Sequence, residues 1–133
     1  MWSDRVAFAL VVSLAATASV AAQLNVIERG KPMVLRGEVV EISCYQAKGI
    51  EAGTGAAHVA CAKECAAKGR SLGLLTEGDG LYRIVGAITA NNNAKLVPYL
   101  GQTVDLSGTQ VLLSNTYDIR QNFDATEVTV AKK

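Results

Sequence analysis

Apolar and polar residues alternate through 33–45, MVLRGEVVEISCY, most regularly in its second half, where Val40, Ile42 and Cys44 stand against Val39, Glu41 and Ser43. A period of two predicts a strand with one buried face, here the face of Val40, Ile42 and Cys44. Gly37, near the middle, predicts a bulge or a sharp bend. The alternation then gives way to KGIEAGTG, a glycine-rich stretch that reads as a loop. Residues 56–68 change period. Alanine, the strongest helix former, dominates them, Thr54 stands where an N-cap would, and Gly69 offers a left-handed C-cap.

Two short apolar runs, SLGLLTE and LYRIVGA, flank Gly78-Asp79-Gly80 and predict a hairpin that pairs Leu74 and Leu75 with the 81–85 strand. In NNNAKLVPYLG, the run Asn91-Asn92-Asn93 predicts a turn that caps a short helix, which Pro98 keeps short or kinked. QTVDLSGTQVLL and DATEVTVAK read as two further strands. Five strands with a short helix between the third and fourth is the order of an OB-type Greek-key barrel. The expected fold is therefore mainly β with helices (α+β): a small OB-like five-stranded Greek-key barrel, with helix 56–68 inserted between the first and second strands. The alternative is an α+β sandwich with both helices on one face.

The first 22 residues follow a different pattern. Arg5 precedes an uncharged, Ala-rich apolar run over 6–20, which ends in Val20-Ala21-Ala22. This predicts a secretory signal peptide over 1–22, cut before Gln23, leaving 23–133 as one domain with a modest core. The run is shorter than the roughly 20 residues of a membrane-spanning helix, and no second long apolar run follows. The expected mature chain is periplasmic or secreted, without a membrane span.

Charge narrows the partners. Thirteen Lys and Arg against twelve Asp and Glu give a net charge of +1. This balance lacks the basic stripe of a nucleic-acid binder, and the aromatics left after cleavage, Tyr45, Tyr82, Tyr99, Tyr117 and Phe123, are too dispersed for a base-stacking platform.

GEVVEISCY, HVACAKECAAKG, GLLTEGDGLYRIVG and GQTVDLSGT together resemble a group of small exported bacterial proteins. These pair an OB-like barrel with a Cys/His segment between the first two strands. The resemblance covers most of the mature chain. It implies the fold and the export, and it carries no activity.

The candidate chemistry lies in HVACAKEC, which holds His58, the sole histidine, together with Cys61 and Cys65; Cys44 is the third cysteine. On a helical wheel with His58 at zero, Cys61 falls at about 300° and Cys65 at about 340°, one narrow stripe. His58 and Cys65 are about 10.5 Å apart along a regular helix, so a set of ligands drawn from all three needs His58 on a frayed first turn. Three readings follow. Cys44, Cys61 and Cys65 with His58 as fourth ligand would hold a transition metal, Zn²⁺ or Cu(I). Alternatively, Cys44 pairs with Cys61 or Cys65 in a disulfide and leaves one thiol free, as an odd cysteine count in an exported protein suggests. The third reading is a redox-active CxxxC pair, with Lys68 as the nearest base to lower a thiol pKa.

No haem-attachment CxxCH, phosphate-binding GxxxxGK[ST] or paired carboxylate motif is present, and a single histidine gives no catalytic constellation. The expected function is an exported metal-binding or metal-responsive module, not an enzyme. Its alternative is a disulfide-stabilised barrel that serves as a binding subunit beside another envelope protein.

Overall fold

A computed structural model describes residues 26–114 and 121–133. The expected signal peptide and its cut before Gln23 lie outside them. Five strands, β1 (Val26–Glu41), β2 (Leu72–Thr76), β3 (Gly80–Val85), β4 (Thr103–Leu113) and β5 (Gln121–Val130), close into a barrel in the order β1-β2-β3-β5-β4. Neighbours are antiparallel except β3 and β5, which run parallel from Tyr82↔Gln121 to Val85↔Asp124. The sheet closes on itself, so the sandwich alternative does not hold.

β1 makes the closure. It pairs with β4 along most of its length and with β2 over its last four residues, and Glu38 faces both Thr103 and Leu75. Gly37 stands one residue before the second partner joins. Its pairing with Val104 is regular, and the register shifts of β1 fall earlier, between Val26 and Glu28 and between Arg29 and Pro32. The expected bulge at Gly37 is thus displaced. Glycine is required there because a Cβ would collide with the Leu75 carbonyl oxygen.

The inward phase of β1 is also the opposite of the expected one. Leu35 and Val39 belong to the barrel core, together with Leu72, Leu74, Val104, Leu106 and Phe123, whereas Val40, Ile42 and Cys44 are buried outside that cluster. Both phases are covered near the end of β1 because two helices pack there. Tyr82 and Phe123 meet edge to face inside the barrel, with ring centroids 6.3 Å apart. The expected hairpin is present, with Leu74↔Tyr82, Leu75↔Leu81 and Thr76↔Gly80 in register and both Gly78 and Gly80 at positive φ.

Two helices separate β1 from β2: α1 (Ile42–Gly53) and α2 (Gly55–Ala67). The second was expected. The first replaces both the end of the expected strand and much of the expected KGIEAGTG loop, and it is broken at Gly49, where φ is 70° and ψ is −167°. Between β3 and β4 the chain makes two 3₁₀ turns, Ala87–Thr89 and Val97–Tyr99, around a left-handed turn at Asn91, Asn92 and Asn93.

Candidate metal centre

Two carboxylates on β1 fix the helices that carry the cysteines. Glu41 ends the strand and caps α1: its buried carboxylate accepts the Cys44 amide at 2.7 Å, the Ser43 amide at 3.1 Å and the Ser43 hydroxyl at 2.8 Å. A negative group there satisfies otherwise unpaired first-turn donors and complements the helix dipole. Cys44 therefore sits on the first turn of a helix and not at the end of a strand. The alternation continues through it in sequence, but the cap at Glu41 turns the backbone first.

Glu38, three residues earlier, accepts the Gly55 amide at the start of α2. Thr54, the expected cap of α2, makes no capping hydrogen bond; its hydroxyl donates to the Ile50 carbonyl of α1 at 2.6 Å. The other end of α2 closes as expected at Gly69, with φ at 78°. The Gly69 amide donates to the Ala66 carbonyl and the Arg70 amide to the Cys65 carbonyl, a Schellman pair. Asn93 is buried and donates its side-chain amide to the Arg70 carbonyl at 3.0 Å. It was expected to help cap the following helix, and instead it clamps the end of the preceding one.

The single stripe on the wheel resolves into two. His58, Ala62 and Ala66, spaced four apart, are the buried face of α2. The two alanines join the barrel core, where their small side chains let the helix lie close to the strands. Cys61 and Cys65 occupy the flank and remain partly exposed. Cys44 reaches that flank from α1, with its Sγ 3.0 Å from that of Cys61 and 3.8 Å from that of Cys65.

All three sulfurs lie within 4.8 Å of one another, the one group of three His, Cys, Asp or Glu ligand atoms so close among the described residues. His58 is outside this group. It is fully buried, and neither ring nitrogen has a hydrogen-bond partner. Such an orphaned buried donor costs about 1–3 kcal/mol.

The three thiols are not equivalent. Burial raises the Cys44 thiol well above its ordinary value, and hydrogen bonding to Glu41, Cys61 and Cys65 acts in the same direction. Hydrogen bonding from Cys44 pulls the Cys61 thiol down, against the opposing effect of burial, and the charge of Lys48 assists. The basic neighbour is thus Lys48 on α1, not the expected Lys68. Burial works to raise Glu41, but hydrogen bonds from Cys44 and Ser43 outweigh it and hold the carboxyl below its usual range. Of the pair, Cys61 is therefore the thiol that ionises more readily and Cys44 the one that holds its proton more firmly.

An ion held by three thiolates must displace the Cys44 proton, so binding strengthens as pH rises. Sulfurs about 2.3 Å from a tetrahedral ion are about 3.8 Å apart. Cys44 and Cys65 already stand at that separation, and Cys44 and Cys61, at 3.0 Å, are closer than it.

Of the residues that shape this site, Glu38, Glu41 and Lys48 were missed. A glutamate in an alternating run carries no capping signal, because Asp, Ser, Thr and Asn lead at that position. No protein-family model, curated protein or solved structure matches the chain. Its functional reading therefore rests on these residues.

Proposed function

We propose that this chain is a small exported metal-binding or metal-responsive module that holds one soft transition-metal ion on Cys44, Cys61 and Cys65. The observation that carries the reading is the convergence of three sulfurs from two helices within 4.8 Å. Thiolate ligands select Cu(I) and Zn²⁺ among the common ions. Three thiolates with no fourth ligand favour Cu(I). Structural Zn²⁺ takes four ligands, and the unpartnered ring nitrogens of His58 support that residue as the fourth. The barrel order and its parallel β3–β5 pair support an OB-like Greek-key fold with the metal-bearing helices inserted after the first strand. Export is supported by the apolar run that ends at Ala22.

A second reading rests on the 3.0 Å contact between Cys44 and Cys61. Oxidation would join these two in a disulfide, leave Cys65 free and tie α1 to α2, as in a disulfide-stabilised binding subunit of an envelope complex.

Native mass measurement of protein recovered from the cell envelope separates the two readings. The metal reading expects one ion per chain, lost in Cys61→Ser. The disulfide reading expects a two-hydrogen mass loss and no ion. Full metal occupancy in Cys61→Ser would remove the site as described. The same spectrum reads the mature N-terminus, expected at Gln23; a chain that retains Met1 would overturn the signal peptide.

A further inference from the structure

A cavity of about 950 Å³ opens between the start of β1, the turn that follows α2, the end of β3 and the 86–93 segment. None of the three cysteines lines it. Its lining includes Arg29, Arg70 and Arg83 and a single acidic residue, Asp124. Arg29 engages that carboxylate at 2.7 Å and the Thr109 hydroxyl at 2.8 Å. Among the described residues neither Arg70 nor Arg83 has an ion-pair partner within 4.0 Å, in a chain whose net charge is only +1.

Arg83 is the telling residue. Its Nε is shut off from solvent and has no hydrogen-bond partner. A charged donor is rarely left unpaired in a protein interior, because desolvating it without an acceptor is costly. A smaller adjoining cleft of about 350 Å³ shares Gly69, Arg70, Ser71 and Arg83 with the first and adds Lys68. The one carboxylate lining it, Glu41, is committed to Ser43 and Cys44. The remaining cavity wall is apolar where Val26, Val85, Ala87 and Ala90 line it.

We propose that this cavity binds a small organic anion, with a carboxylate or phosphate head held by Arg83 and Arg70 and an apolar body against Val85 and Ala87. Guanidinium groups match both oxyanions, with two parallel N–H donors to two oxygens. The volume is that of a small-molecule site, and its lining joins charged and polar side chains to an apolar strip, as a site that orients a ligand requires.

The test is calorimetric titration of reduced, metal-free protein with phenyl phosphate, benzoate, inorganic phosphate and benzyl alcohol. One equivalent of phenyl phosphate or benzoate binds, benzyl alcohol does not, and affinity falls with added salt; the tighter of the two aromatic anions identifies the head group. Arg83→Gln weakens binding about tenfold or more, the loss expected for a charge-assisted hydrogen bond. Arg36→Gln, which removes a guanidinium paired with Asp105 outside the cavity, leaves affinity unchanged. Absence of binding by every anion, or an Arg83→Gln protein that binds as tightly as the parent, would overturn the site. Should Arg83→Gln not fold, amide shift mapping on the parent protein decides. Shifts confined to the cavity lining, at 26, 29, 69–71, 83–93 and 124, support the cavity, and shifts confined to other residues refute it.

Discussion

Glu41 accepts the backbone amide of Cys44 at 2.7 Å, so one carboxylate both ends a strand and positions a thiol. The period-two pattern continues through Cys44 in sequence, but the backbone turns into α1 at Ile42. Glu38 does the same for α2 at Gly55, and the two glutamates thereby set the helices whose cysteines meet.

Replacing Glu41 with Ala should cost about 1–2 kcal/mol of stability through loss of the cap. It should also lower the Cys44 thiol pKa, because the adjacent carboxylate helps to raise it. Urea denaturation and a pH titration of thiol reactivity measure the two effects. A variant with unchanged stability would show that α1 does not depend on this cap.

If His58 supplies the fourth ligand of the proposed site, it decides which ion fits. Removing it with His58→Ala should leave Cu(I) binding within about twofold and weaken Zn²⁺ binding about tenfold or more, since Zn²⁺ prefers four ligands. Competition against chelators of known affinity reads both. Equal losses for the two ions would place His58 in a purely structural role.

Acidification should destabilise the metal-free protein through the same residue. Burial holds the His58 imidazole below its ordinary value, against the pull of Glu41 and Glu38. The folded-state pKa is then lower than the unfolded one, and between the two the unfolded chain binds more protons. Stability is complete above about pH 6.5 and is lost as pH falls from there toward the folded pKa. Urea midpoints should decline over that window in the parent protein and flatten in His58→Gln. A flat profile in the parent protein would contradict the assignment.

Two glycines should fail for different reasons. Gly80 has φ at 84° and open space where a Cβ would stand, so Gly80→Val should cost roughly 1 kcal/mol or more through backbone strain alone. At Gly37, the Leu75 carbonyl fills the place of a Cβ. Gly37→Ala forces the β1–β2 seam apart and should cost about 1–3 kcal/mol, the range for overpacking. Thermal melts of the two variants compare them. A harmless Gly37→Ala would mean that the barrel closes less tightly than its register indicates.

Much of the barrel was legible because its signals are local. The GDG turn, the alternation of the late strands and the glycine after α2 each act within a few residues, and each gave its element. Cys44 was expected to meet the helix of Cys61 and Cys65 from the inward face of a strand; it does meet them, but from the first turn of α1.

The identity of the inward face was not legible, nor was α1. Near the end of β1 both faces are covered, so the alternation that normally marks the core loses its meaning at Val39 and Val40. The wheel placed His58 with the cysteines because it knows angle and not what lies opposite. Packing against the barrel took His58, Ala62 and Ala66 inward and left Cys61 and Cys65 for α1. The sequence by itself determined the strands, the hairpin, the second helix and the set of thiols. Tertiary structure alone decided which thiol is buried, which two stay partly exposed and which residues surround them, because Glu38, Lys48 and Asn93 act on partners far along the chain.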